Sequence, residues 1–271
     1  MFKSEKLIGM SPNFLPFCAL VLGIAVGETL LLPVDKVKGQ GQVQSPAIQW
    51  EWLSQHNGVI SERGVTRNQA LKAFRGTALI NQSLGQVVTL LFDHTHAPEW
   101  VRGLSQSIEL RPLEHDGFVV WQRFHNPWPV LDRDFIFRAT PKYDLIKQSF
   151  TATFVDLKRT TIHLSLAEQA KVPDQTCCIL GEVIHAEWQF RATGLHSTCA
   201  RVEVIMDPKG WVPALFVNWF QETWPQDTLA GLREHVKTSN LDLHPSFEQG
   251  FVNESRILLT EKQCREGRME Q

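Results

Sequence analysis

Pro127-Trp128-Pro129-Val130-Leu131-Asp132-Arg133-Asp134-Phe135 is the stretch on which the reading of this chain turns. Proline on each side of Trp128 restricts the backbone and fixes where the indole lies, so the segment reads as a stiff loop between strands. Arg133 then stands between two carboxylates at the entrance to an apolar strand that begins at Phe135. A guanidinium in that place can form a bidentate, charge-assisted pair with a carboxylate. The expectation is an anchor made by Trp128, Asp132, Arg133 and Asp134, with Arg133 pairing to Asp132, Asp134 or a neighbouring acid and pinning the loop to the sheet.

Outward from this loop the pattern is mostly extended. Strands are expected over 107–113, 118–125, 135–140, 149–157, 160–166, 182–192 and 198–206, punctuated by turns such as Asp116-Gly117, Thr193-Gly194 and Pro208-Lys209-Gly210. Upstream, Ser45-Pro46 offers a cap and first-turn proline for a short helix through Trp50, Trp52 and Leu53. Asn57-Gly58 then turns the chain into strands over 59–67 and 71–80. Ser83 can cap a helix that carries Leu84, Val87, Val88, Leu90 and Leu91 on one face. A long helix from about Pro213 to Val236 closes the ordered part, and Pro225 inside it should kink it. A helix, two strands, a helix, a run of antiparallel strands and one long terminal helix make an α+β layout in which a curved sheet wraps the last helix.

The 271 residues are 43% hydrophobic and 21% charged, as in a globular protein, with a net charge of -2. That balance offers no basic field for nucleic acid or an anionic membrane surface. Nine Trp and 16 Phe stand beside a single Tyr, which is large apolar area with little polar demand and suits a big core or an apolar-walled cavity. Lys3 and Lys6 precede the uncharged run Phe14 to Gly27, which ends Ala25-Val26-Gly27. This reads as a secretory signal over 1–27 with cleavage before Glu28, because the run is shorter than the roughly 20 residues a spanning helix needs. The alternative is an uncleaved membrane anchor, since the apolar run resumes at Leu30. Residues 28–46 follow as a linker, polar and Gly/Gln-rich from 35, with 47–237 as the folded domain and 238–271 as a polar, frayed tail. The protein is thus expected outside the cytoplasm, periplasmic or secreted. Cys177, Cys178, Cys199 and Cys264 remain after the signal, and four thiols allow three pairings.

The loop resembles the PWP…DRDF segment of bacterial START-like proteins, relatives of the steroidogenic acute regulatory lipid-transfer family. Flanking pieces resemble the same family in order: Leu71 to Gly76, Leu91-Phe92-Asp93 through Val101, Gly181 to Trp188, and Asp207 to Pro213, together spanning about Ile48 to Val236. The resemblance implies a helix-grip fold, a bent antiparallel sheet closed around the C-terminal helix with an internal hydrophobic tunnel. It implies binding, transfer or sensing of a lipid or sterol-like ligand, with transient contact to a membrane. Animal relatives often place a second Arg six residues after the Arg of RDF. Here that position is Ala139, and Arg138 falls on the opposite strand face. Cavity candidates are Val120, Gln122 and Phe124 on one parity of a strand, Trp188, and Leu215, Phe216, Trp219, Phe220 and Thr223 on one face of the last helix, which would act as the movable wall.

No nucleophile elbow, phosphate loop or dinucleotide fingerprint occurs. Asp93-His94-Thr95-His96 lacks the companion ligands of a zinc site, so no metal or cofactor is expected and no catalytic residue is assigned. An alternative function on the same fold is a cavity enzyme of the polyketide cyclase or hydrolase type, with His125, His163 or His185 as general base. A third reading, an interaction module, would expose Trp128, Trp211 and Trp224.

Overall fold

The computed structural model describes residues 48–65, 72–160, 163–173, 176–212, 214–239, 242–247 and 253–269, with 214–221 described as backbone alone. The expected signal and linker lie outside these. The described chain opens on a strand, β1 (Gln49–His56), where the Ser45-Pro46 signal predicted a helix. Alternation of Trp50 and Trp52 with polar residues has period two, and tertiary pairing to β2 (Val59–Val65) decides the matter. The guanidinium of Arg75 reaches across β2 to lie 4.3 Å from the Trp50 ring centroid and fixes that indole. Asn57 and Gly58 make the hairpin turn, both at positive φ.

β3 (Ala73–Ile80) leads to α1 (Leu84–Phe92), started by a capping box in which Ser83 and Gln86 satisfy each other's backbone N–H groups. Then come β4 (Leu104–Pro112), β5 (Phe118–Phe124), β6 (Asp132–Asp144) and β7 (Ser149–Asp156). The strand expected over 160–166 does not form in the described part of that range. Asp156 accepts from the N–H of Lys158 and turns the chain into a 3-10 turn, and Ser165 with Glu168 forms a capping box that opens the short α2 (Leu166–Gln169). β8 (Cys178–Leu180), which the sequence reading missed, β9 (Glu182–Gly194) and β10 (Ser197–Asp207) complete the sheet. The long α3 (Ala214–Thr238) follows, and a short α4 (Glu261–Arg265) comes near the end.

The order across the sheet is β1-β2-β3-β10-β9-β7-β6-β5-β4, antiparallel throughout, with β8 added in parallel to β6. Its inner face meets α1 and α3 in one apolar cluster that includes Phe74, Ala200, Val202, Leu229 and Leu232. α3 lies close on β3 because Gly76 has no side chain: a Cβ there would come within 2.9 Å of Leu229 and 3.0 Å of Pro225. Gly231 does the same at the loop after α1, where a Cβ would stand 2.4 Å from the carbonyl oxygen of Trp100. The protein is therefore α+β, a curved antiparallel sheet gripping its C-terminal helix.

The outer face is covered in two places. The segment around α2 lays Leu157, Leu164 and Val172 on Leu110, Val119 and Trp121. At the other end of the sheet, Leu259, Cys264 and Met269 pack on Leu79 and Cys199. The end of the chain was expected to fray, and over 253–269 it is instead anchored. Arg201 donates to the carbonyl of Gly267 (2.7 Å), Arg191 donates to that of Met269 (3.2 Å), and a disulfide joins Cys264 to Cys199 of β10 with Cα atoms 5.7 Å apart. Charged outward-facing arginines have taken backbone carbonyls as partners, which hydropathy alone does not reveal. A second disulfide joins the adjacent Cys177 and Cys178 at the start of β8.

The 199–264 link spans a sequence separation of 65 residues. By loop-closure entropy, Cys199→Ala with Cys264→Ala should lower stability by up to ~4 kcal/mol. Urea unfolding of the double variant against the oxidised wild type measures it.

Candidate functional site

Strand alternation sends Phe118, Val120, Gln122 and Phe124 of β5 to the inner face and leaves Val119, Trp121 and Arg123 outside. The register pairs Val120 with Phe137 and Gln122 with Phe135, so β6 adds its own inward residues beside them. Phe154 of β7, Ala186 and Trp188 of β9, and Val204 and Met206 of β10 continue the wall around the bend. Leu91, His94, Ala97, Trp100 and Val101 close it from the end of α1 and the loop beyond, and Trp224 closes it from α3. About 700 Å³ of atom-free space lies between these residues, mouth included, and the centre of a water molecule can reach about 80 Å³ of it. One water needs only ~10–15 Å³ on that second measure, so this is a cavity and not a packing defect.

Behind Phe118, which lines the cavity, further rings pack against one another. Phe92 meets Phe118 at 6.0 Å and Phe150 at 5.9 Å, both edge-on, and Tyr143 meets Phe150 at 5.2 Å and Phe247 at 5.7 Å. Along the wall Trp100 stands edge-on to Trp188 at 5.7 Å. A register shift in the β9–β10 ladder sets Met206 opposite Val183 although Ile205 is opposite His185. The extra residue is a β-bulge, and it puts both Val183 and Ala186 on the cavity side despite their odd spacing.

Val120, Gln122, Phe124 and Trp188, named from the sequence, all line this space. Thr223 is half-buried and outside the lining. Leu215, Phe216, Trp219 and Phe220 belong to α3, but their side chains lie outside the described residues. His94, Trp100 and Trp224 escaped the sequence reading as cavity residues. Only a tertiary contact brings the α1 loop and α3 against the sheet, and no periodicity links them. Trp224 is buried, not exposed as the interaction-module reading required. Of the candidate bases, His125 is exposed with Nδ1 3.1 Å from Asp132, and His163 lines a separate hollow against Ile136 and Leu157. His185 is half-buried and lines neither. Asp93 holds His96 through a 2.7 Å contact from Nδ1.

The charges of the proline loop are arranged differently from the expectation. Arg133 pairs with neither neighbouring aspartate. Its Nε donates to the carbonyl of Pro208 (2.7 Å), Nη2 to that of Lys209 (3.2 Å) and Nη1 to that of Leu131. Adjacent strand residues face opposite ways, so Arg133 cannot turn back to Asp132 or Asp134. Asp134 instead receives a two-pronged pair from Arg123, at 2.8 and 2.9 Å, and Asp132 accepts from the backbone N–H of Asn126 at 3.0 Å. Trp128, at a cis peptide bond with Pro129, projects into solvent at 91% exposure. Arg133 thus laces the 127–131 loop to the 208–210 loop through main-chain carbonyls. At the inward position further along β6 stands buried Ala139, while Arg138 is exposed.

No protein-family model matches the sequence, and no characterised protein matches it at a significant level. Solved structures do match the fold. Human STARD10 superposes with a TM-score of 0.59 at 15% identity, over 74% of this chain and 76% of that one. The fold is START-like. Human StAR-related lipid transfer protein 5 gives 0.58 at 15% identity, covering 70% and 86%. A STAR-related lipid transfer protein fragment from Xanthomonas axonopodis gives 0.54 at 19% identity, covering 69% and 98%. In this START-like chain the position of the animal family's second arginine holds no charge, and the lining carries one titratable side chain among the described residues, His94.

Burial pushes the His94 imidazole down to about 4, against a weaker opposing pull from Asp93. The unfolded chain protonates this histidine near 6.5 while the fold resists protonation to about 4, so between those values the unfolded state holds the extra proton. Stability contributed by neutral His94 is full above pH 6.5 and is lost as pH falls through that window, by roughly 3 kcal/mol at most. Melting curves should show wild type losing more stability than His94→Phe between those two pH values.

The two arginines on the strands flanking the loop should separate by mechanism. Asp134 is 1% exposed, so Arg123→Met strands its carboxylate and should cost about 3–5 kcal/mol. Arg133→Met leaves only carbonyls behind and should cost less, roughly 2–3 kcal/mol. Urea midpoints of the two variants test the order.

Proposed function

We propose that the protein binds one lipid or sterol-like molecule in this cavity, as a carrier or sensor, outside the cytoplasm. The observation that carries the reading is a cavity walled by Phe, Trp, Val, Leu and Met side chains, with Gln122 and His94 as its only conventional polar groups among the described residues. The names of the superposed structures, lipid transfer proteins among them, support it. Export is supported by the Cys199–Cys264 disulfide, since such links persist in oxidising compartments. Trp128, Leu131 and Trp211 stand exposed on the two loops that Arg133 joins, and this supports brief contact with a bilayer interface during loading.

One observation points toward the cavity-enzyme alternative: His94 Nε2 approaches Glu109 Oε2 at 3.4 Å. The approach is not a hydrogen bond, and an imidazole that protonates only near pH 4 is a weak base at neutral pH. The carrier reading is therefore preferred.

Native mass spectrometry of the purified protein should show a co-purified hydrophobic ligand. Ala186→Trp places an indole in the ligand space and should abolish that mass while melting falls by less than the ~1–3 kcal/mol typical of overpacking a filled core. An unliganded wild type that also fails to take up any lipid offered in vesicles would sink the proposal.

A further inference from the structure

Among the described residues, three nitrogen atoms of cavity-lining side chains are buried and make no hydrogen bond: Nε1 of Trp100, Nε1 of Trp224 and Nε2 of His94. Trp100 is 5% and Trp224 6% exposed. Buried polar groups in folded proteins are nearly always paired, so three unpaired nitrogens on residues that line one cavity raise the question of what satisfies them. An indole N–H can only donate, so what satisfies Trp100 and Trp224 must present an accepting oxygen.

The charge around the cavity narrows the ligand further. No charged side chain lines it among the described residues, and by sequence none of residues 214–221 is charged. Arg133, at the end of β6, is committed to three carbonyls. The carboxylate of Glu109 lies 3.4 Å from His94 and would oppose an anion brought to that nitrogen. A phosphate or carboxylate buried here would have no counter-charge, which is costly.

Resting on the lipid-binding reading, we infer that the cavity selects a neutral lipid bearing a hydroxyl, ester or carbonyl oxygen, held by the indole N–H groups of Trp100 and Trp224 together with the His94 imidazole, and rejects lipids whose buried head is ionised.

The test uses three probes with one apolar body: a pyrene-capped long-chain alcohol, the carboxylic acid of the same chain, and the alkyl pyrene ending in a methyl group. Each is titrated into delipidated full-length protein at neutral pH and followed by pyrene fluorescence. The alcohol should bind about tenfold more tightly than either other probe, the scale of one or two hydrogen bonds gained or of an uncompensated charge avoided. Trp100→Phe and Trp224→Phe keep a ring and lose the donor. Each should cut alcohol affinity several-fold toward that of the alkyl pyrene and leave alkyl pyrene affinity unchanged, with melting recorded as the folding control. Equal affinity for all three probes, or preference for the acid, overturns the inference and leaves the lipid-binding reading standing. Failure of every probe to bind overturns both.

Discussion

The register between β5 and β6 is the constraint on which the rest of the site depends. Setting Val120 against Phe137 and Gln122 against Phe135 commits alternate residues of both strands to the inner face. A slip by one residue would exchange Phe118, Val120, Gln122 and Phe124 for Val119, Trp121 and Arg123, and turn a guanidinium into the cavity. The Arg123–Asp134 pair, between residues directly opposite each other in this ladder, fastens that register on the outer side. The same ladder ends in the proline loop, so the geometry of cavity and loop follows from one set of strand contacts.

A sheet with an unfilled inner face must find its stability elsewhere. Here the outer face is buried as well, by the 157–172 segment over Trp121 and by the 253–269 segment over Leu79 and Cys199. All eight residues of β3 are buried. Apolar area buried outside, at roughly 25 cal/mol per Å², offsets the contacts that cavity-lining side chains forgo. The unpaired nitrogens of Trp100, Trp224 and His94 add to the cost, about 1–3 kcal/mol for each buried polar group without a partner.

α3 is both structure and wall. Its C-terminal half packs into the core through Leu229, Leu232 and Val236, and Gly76 and Gly231 mark where it is drawn close to the sheet and to the Trp100 loop. Trp224, just before Pro225, faces the cavity. The transition from packed helix to cavity wall falls within about two turns, between Trp224 and Leu229.

Legible in the sequence are the α+β class, most strands, the capped α1 and the terminal helix. These follow from periodicity, turn residues and caps, which are local. The sequence reading mistook β1 for a helix, where a cap signal competed with a period-two pattern that only pairing with β2 could favour. It missed β8, too short to show a period. It also assigned Arg133 to a neighbouring carboxylate, because adjacency in sequence says nothing about carbonyls brought from residues 208 and 209. The pairing of Cys199 with Cys264, the anchored 253–269 segment, and the meeting of His94, Trp100 and Trp224 around one cavity were decided only in the tertiary structure. Each joins residues far apart in the chain, and hydrogen-bond satisfaction inside a cavity is a property of the assembled walls that no single segment encodes.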